Sequence, residues 1–553
     1  MGARATNQSG RRLGWPRRML FPAAALFAVL STGCTDTEVV FRDRPLFEQP
    51  PDSINEFLGY FNTVTKKTVC GNCHVGQQSG WQLTGHMDAW ATLQASGHAQ
   101  AFCNGCHAIS ELGNALDAAG GINVVDHERY YDVQCENCHG PGLAHVENPD
   151  FGPAQPAAML AVDDVTGCGE CHQGTHHPYV EQWAESAHGL VPSLSHVGTN
   201  AACLPCHEGK AALTAKFGET ADYVEKSQAA GMPITCGVCH DPHGSGFEAN
   251  LRADITVPTL DNFCVKCHAR SGVPPSARGP HAAQGFLVLS DNVGWIPPGF
   301  AETFGEPVVT SHGRPESNPR LCVTCHVTRF DVTDQLTGDF LLTSVGHSFE
   351  AIPCLDPVTG LPDGRTDCPA TERFFGHAGA TLEEGGCATS TCHSNNPDAA
   401  RSAYLVVLTR LNDLLDDIWE DVNGNSVLDT FPVDRGVLPQ ALAATWPDTS
   451  VLDPRDKLIT AAEGTLYNAQ LAFTSDRTHF SSGRVYVGIA GTALGGITFS
   501  AHATSGNGVH NPFLLEALLR FSIRAVEDEY GLLPGLQTDL SVQAIPPPGV
   551  IAR

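Results

Sequence analysis

The chain has 553 residues, 42 % of them hydrophobic but only 7 % aromatic, with 60 acidic against 32 basic side chains and a formal net charge of −28. That length allows two or three domains, and so acidic a balance excludes nucleic acid as a partner, because phosphate binding needs an excess of Lys and Arg. The unusual counts are 21 Cys and 25 His, and 56 Gly with 37 Pro forecast many loops and turns.

Residues 1–33 read as an export signal. Arg11, Arg12, Arg17 and Arg18 precede the apolar run Met19 to Leu30, and the small residues Ser31, Thr32 and Gly33 follow. The run is too short to span a bilayer. Gly33-Cys34 directly after it resembles a bacterial lipoprotein cleavage site, with Ser31 where Leu is usual. An acyl chain on Cys34 would hold the mature protein at a membrane surface. The expected location is therefore outside the cytoplasm, periplasmic or at the outer membrane or cell surface, where the redox environment is oxidising. Residues 34–66 read as a linker.

From residue 67 a unit recurs. Cys70-Gly-Asn-Cys73-His74 opens the series. Cys103, Cys106 and His107 follow with the same spacing, then Cys135, Cys138 and His139, and Cys168, Cys171 and His172. Next come Cys203, Cys206 and His207, then Cys236, Cys239 and His240. Cys264, Cys267 and His268 form the seventh, Cys322, Cys325 and His326 the eighth. A ninth is stretched: Cys387, Cys392 and His393. C-x-x-C-H is the attachment motif of c-type haem. Each thiol adds to a porphyrin vinyl group, and the adjacent His reaches the iron. Structural zinc would not need a His after every thiol pair, and a disulfide framework leaves the nine histidines unexplained. Cys354 and Cys368 are left over and are expected to form a disulfide around a loop rich in Pro, Gly and Asp.

An iron with one His has an open sixth position. After the signal only Met87, Met159 and Met232 remain, so a second His must close most of the irons. Sixteen His lie outside the motifs. The expected distal ligands are His86, His98, His127, His145, His188, His243, His281, His312, His347 and His377. His176 and His177 are adjacent, so one of them at most is expected to bind. His145 lies too near His139 to reach the opposite face of the same haem, so it belongs to a neighbouring one, and His243 beside His240 follows the same logic. Trp90 to His98 and Trp183 to His188 look like two copies of one element, a short helix ending in Ser-x-His. The porphyrins would supply the apolar interior. Residues 67–395 are thus expected to be a domain of short helices and loops holding about nine haems.

CENCHGPGLAH at 135–145, CGVCHDPHG at 236–244 and the Trp-x-x-Ser-x-His element resemble the multihaem cytochrome c superfamily. That superfamily includes electron carriers of hydroxylamine oxidation, pentahaem and octahaem nitrite reductases and outer-surface conduits. The resemblance implies covalent haem and electron transfer. The C-x-x-C-K motif of pentahaem nitrite reductases does not occur here, and nothing in the spacing singles out Tyr130 or Tyr131 for the Tyr cross-link of hydroxylamine oxidoreductases.

Residues 396–553 lack thiol pairs and read as a haem-free, mainly helical domain. A helix is expected over 398–421, from the periodic Tyr404, Leu405, Leu408, Leu411, Leu414, Leu415 and Ile418. Others are expected near 457–473 and 512–530, with a hairpin over 483–500. Gly508 to Pro512 resembles a C-terminal element of several multihaem cytochromes in which the His reaches back to a haem, which makes His510 a candidate. Asp421, Asn423, Asn425 and Asp429 space oxygens like the start of an EF-type calcium loop, but with Ser426 and Pro432 where Gly and Glu are usual.

The fold expected is therefore mainly α with extensive loops, a haem-packed domain followed by a helical one. The function expected is that of an exported carrier passing electrons to other redox proteins or an extracellular acceptor, in a respiratory or extracellular pathway. The alternatives are an oxidoreductase with one open haem acting on a small nitrogen or sulfur compound, and an oligomeric subunit of a conductive filament or membrane complex.

Overall fold

Most of the apolar core comes from the C-terminal segment, where helix caps and periodic Leu residues agree. The computed structural model describes residues 47–533 except 115, 117, 150–166, 175–176, 190–199, 220–230, 275–278, 306–307, 334–336, 338, 361, 366–367, 376–385, 389–391, 395, 453–458, 482–483, 490–491 and 499–506. The signal, Cys34, His176, His377 and His502 lie outside the described residues. Among those described, no helix is long and apolar enough to cross a membrane.

The N-terminal part begins with a small antiparallel pair, β1 (Tyr60–Asn62) and β2 (Lys67–Thr68). Short helices follow, among them α1 (Val75–Trp81), α2 (Ala89–Ala95), α3 (Tyr179–Glu185), α4 (Gly209–Phe217) and α5 (Gln284–Leu289). Apolar clusters here are small, such as Phe57, Ala108, Ile109, Ile122 and Tyr130. Buried polar side chains tie the loops instead. The Glu136 carboxylate accepts from the backbone N–H of Leu58 (2.9 Å), Gly59 (2.7 Å) and Gly142 (2.7 Å). Asn137 Nδ2 donates to Ala108 O at 2.9 Å. Burial away from water pushes the Glu136 carboxyl up to about 7, against the pull of those three donors. A second antiparallel pair joins β3 (Phe330–Thr333) to β4 (Phe340–Ser344). The expected disulfide is formed: Cys354 and Cys368 are bonded, with Cα atoms 6.1 Å apart.

The tail is built on α6 (Pro397–Ile418), α7 (Val437–Thr445), α8 (Ala461–Ala472) and α9 (Pro512–Tyr530). Asn396 caps α6, its side chain accepting from the N–H of Asp398 and Ala399, with Pro397 in the first turn. Its buried stripe is Leu411, Leu414, Leu415 and Ile418. Thr460 and Glu463 form a capping box on α8, and every residue of α8 is buried. Asn511 caps α9, and Gly531 ends it in the left-handed conformation. The expected hairpin is present as β6 (Arg484–Ile489) and β7 (Thr492–Thr498), antiparallel, while β5 (Val427–Asp429) pairs parallel to β6. Neither β5 nor α7 was expected from local pattern.

The core of this tail also contains Ala283, Phe286, Leu287, Val293 and Phe300, so residues on both sides of 395 share it. Phe47–Arg553 accordingly forms one contact unit. Gly464 of α8 lies against the Trp295 ring, where an added Cβ would sit 2.0 Å from it. Asn468 Oδ1 accepts from Trp295 N–H and its Nδ2 donates to Trp295 O, both at 2.8 Å. Asn511 Nδ2 donates to Ser290 Oγ and Val308 O, both at 2.7 Å.

Asn468 is fully buried, so Asn468→Ala strands the N–H and C=O of Trp295. The expected loss is about 2–4 kcal/mol, read as a lowered midpoint in denaturant unfolding of the haem-loaded protein.

Candidate haem sites

Each regular motif occupies about one helical turn. Short helices cover Asn104–His107, Cys135–His139, Leu204–His207, Cys236–Cys239 and Cys322–His326. Elsewhere the same turn is closed by the histidine N–H donating to the carbonyl of the first Cys: His74 to Cys70 (2.9 Å), His172 to Cys168 (2.9 Å) and His268 to Cys264 (3.0 Å). One turn sets residues three and four apart on a common face, so both thiols and the imidazole point the same way. None of the eighteen motif cysteines is in a disulfide, so each sulfur is available for attachment. Among the described residues no group of three or more His, Cys, Asp or Glu is placed to hold a metal ion.

The imidazoles meet in pairs. His74 faces His145 with ring centres 6.5 Å apart, and His86 faces His172 at 6.2 Å. His139 faces His243 at 6.2 Å, and His188 faces His268 at 6.1 Å. His207 faces His281 at 6.1 Å, His240 faces His347 at 6.3 Å, and His326 faces His510 at 6.2 Å. These gaps are too wide for ring contact. An iron bound by one imidazole nitrogen on each face, at about 2 Å per bond, sets ring centres about 6 Å apart, so the pairs fit bis-His haem.

Tautomers agree with this geometry. A backbone carbonyl can only accept, so Nδ1 carries the proton wherever it meets one. His107 donates to Ala89 O (3.0 Å), His240 to Ala249 O (2.8 Å) and His326 to Phe349 O (2.8 Å). His347 donates to Val345 O (3.1 Å) and His312 to Val509 O (2.6 Å). Nε2 is thereby left as the ligating nitrogen, and the ring is fixed in orientation. Removal from water lowers His172, His188 and His268 to about 4 and His510 to about 3, with neighbouring imidazoles adding to the effect. The rings are therefore neutral, the form that binds metal. A continuous cavity of about 2420 Å³ runs along motifs 4 to 9 and is lined by Cys168, Cys206, Cys239, Cys267, Cys325 and Cys392 among others. Where bound, haem c would be held by the two Cys and the His of each motif and by the facing imidazole.

Six of the ten expected distal histidines thus face a motif histidine: His86, His145, His188, His243, His281 and His347. His312 acts electrostatically on His393 and is aimed by the Val509 carbonyl. Among the described residues His98 is exposed and faces no second imidazole, and His127 accepts the Arg129 N–H at Nδ1 (3.1 Å) as the cap of a short helix. His377 is outside the described residues. His177 also lies near His172, with ring centres 6.3 Å apart.

His510, a candidate from the sequence, is a full partner and faces His326. The structure also changes the repeated element. Trp90 stacks on Tyr131 with ring centres 4.0 Å apart and does not match Trp183. The matching segment is Trp81-Gln-Leu-Thr84-Gly-His86, which has the Trp-x-x-Ser/Thr-x-His spacing of Trp183 to His188. Counting backwards from each candidate histidine to a Ser or Thr and then to a Trp would have found it.

His510→Ala is expected to convert the haem held by Cys322, Cys325 and His326 from low to high spin and open it to cyanide. His510→Met is expected to restore low spin at a raised potential. Electron paramagnetic resonance with a redox titration checks both.

A family model described as a doubled CXXCH motif matches residues 229–272, and one described as cytochrome c554 and c-prime matches residues 69–140. The multiheme cytochrome MtrA of Shewanella baltica (strain OS185) is 26 % identical over 191 residues, 31 % of this chain and 53 % of that protein. The chain therefore spans about half the length of this curated relative. The crystal structure of the outer cell wall cytochrome OcwA aligns with a TM-score of 0.40 at 16 % identity, covering 83 % of this chain and 98 % of that one. The motif series, the paired imidazoles and the two family models agree: this chain is a multihaem c-type cytochrome.

Proposed function

We propose that the protein is an exported electron carrier with about nine covalently bound haems, most of them bis-His, working in a respiratory or extracellular electron-transfer pathway. The observation that carries the reading is the set of seven imidazole pairs 6.1–6.5 Å apart, each joining a motif histidine to one outside the motifs. Bound haem c supplies an iron that takes up and returns one electron. The chain does the rest. The paired imidazoles would hold the iron between them and would keep small molecules away from it. Backbone carbonyls on Nδ1 make the imidazoles more basic, which would favour the oxidised state of a bound iron. The apolar cavity wall sets the dielectric. Export by residues 1–33, a lipid anchor at Cys34 and redox partners outside the cytoplasm belong to the same proposal.

One observation favours a second reading, an oxidoreductase acting on a small nitrogen or sulfur compound. Among the described residues His107 faces no second imidazole, although its Nδ1 is fixed by Ala89 O. An open sixth position there would admit a substrate.

Calcium is proposed for the loop after α6. Asp421 accepts the Ser426 N–H at 2.8 Å, and Ser426 holds φ +55°, the backbone that Gly usually supplies in such loops. Buried Asp429 accepts from Asn423 Nδ2 (3.1 Å) and Asn425 Nδ2 (3.3 Å). Reversing those two amides would present their oxygens instead.

Protein from a host that attaches haem c is expected to gain the mass of nine haems and to show a low-spin spectrum with little response to cyanide. A colourless product overturns the carrier reading, and a strong shift with nitrite or hydroxylamine transfers support to the second. Removing calcium with a chelator is expected to lower the thermal midpoint by about 2–5 °C, and adding calcium back to restore it; an unchanged midpoint removes calcium from the account.

A further inference from the structure

Two stretches of the haem region repeat one set of contacts. In the first, Trp81 Nε1 donates to Val133 O at 2.9 Å, and in the second Trp183 Nε1 donates to Ile234 O at 2.8 Å. Val133 and Ile234 each stand two residues before a motif, the third and the sixth. Thr84 Oγ1 donates to Trp81 O at 2.8 Å, as Ser186 Oγ does to Trp183 O at 2.7 Å. Val133 N–H donates to His86 O (3.1 Å), as Ile234 N–H does to His188 O (3.2 Å). His86 then faces the histidine of motif 4, and His188 that of motif 7.

The thiols repeat in the same way. Motifs 1 and 3 are neighbours through Cys70 and Cys135, as motifs 4 and 6 are through Cys168 and Cys236. Motifs 2 and 4 meet at Cys106 and Cys171, as motifs 5 and 7 do at Cys206 and Cys267. Cys138 lies near Cys168, and Cys239 near Cys264. His243 faces the histidine of motif 3, and His347 that of motif 6. Adding three to the motif number maps each contact of the first set onto one of the second. Motif 4 is the last member of the first set and the first member of the second. Motif 8 joins motif 7 through Cys322 and Cys264, and motif 9 joins motif 8 through Cys387 and Cys325.

We infer that the haem region is two overlapping copies of a four-motif module that share motif 4, and that the haem array is therefore branched. Motifs 1, 3, 4, 6, 7, 8 and 9 lie in series, with motif 2 attached at motif 4 and motif 5 at motif 7. Trp81 with Thr84 and Trp183 with Ser186 are equivalent positioning residues, acting through His86 and His188. The inference rests on the proposal above that every motif carries a haem. Its consequence is that such a carrier has four terminal haems, at motifs 1, 2, 5 and 9. Motif 4 becomes the one link between the two modules.

Iron positions test this directly. Anomalous scattering from crystals of the full haem-loaded protein is expected to give nearest neighbours 1–3, 3–4 and 2–4, repeated with similar separations as 4–6, 6–7 and 5–7. Nine irons in single file, or neighbours that do not repeat, overturn the module and leave the carrier function standing. A product with no iron overturns both. A second measurement addresses the positioning residues. Thr84→Val and Ser186→Ala are each expected to move up to about one ninth of the total haem signal from low to high spin, while Thr84→Ser and Ser186→Thr keep it low-spin. A response in neither variant, or in only one, overturns the equivalence.

Discussion

Two imidazoles held an iron's width apart are the constraint on which this molecule is organised. Each pair joins segments far apart in the chain: His86 to His172, His188 to His268, and His326 to His510 across most of the C-terminal segment. Ligation of this kind would fix a loop in place, since an unligated buried imidazole is a desolvated polar group with nothing in return. The small apolar clusters around Phe57 and Tyr130 are consistent with that division. There, buried groups such as Glu136 and Asn137 hold the backbone around the motifs by hydrogen bonds, and the large flat cofactor would fill the space between.

The C-terminal segment works on the opposite principle. Its helices have a conventional core, with α8 buried on every side and α9 laid beside it. That core reaches back to Phe286, Leu287 and Phe300 in the haem region, and Asn468 and Asn511 stitch the two segments together through backbone atoms of Trp295 and Val308. The consequence lies at the metal sites. The turn before α9 carries Val509 and His510, so one rigid element both faces the motif 8 histidine and orients His312 toward motif 9. A tail without a thiol pair of its own thereby completes sites whose motifs lie elsewhere.

The repeated Trp-x-x-Ser/Thr-x-His segment shows how local chemistry sets these distances. The hydroxyl closes a turn on the Trp carbonyl, the indole N–H anchors that turn to the residue ahead of a motif, and the histidine emerges at a fixed angle. Ser96 and His98 reproduce the hydroxyl turn, but Leu93 stands where the Trp would be. Without an indole anchor His98 faces solvent.

The sequence by itself determined what covalent spacing determines. The nine motifs and the α6, α8 and α9 helices were legible because each depends on residues within a turn or two of one another, and the leftover pair Cys354 and Cys368 and the surplus of histidines over methionines were legible by counting alone. The choice of partner for each motif histidine, the short α7 helix, the parallel pairing of β5 with β6 and the arrival of His510 beside His326 were decided by tertiary structure alone. They depend on where distant loops cross, and no periodicity within a segment encodes a distance to another segment far along the chain.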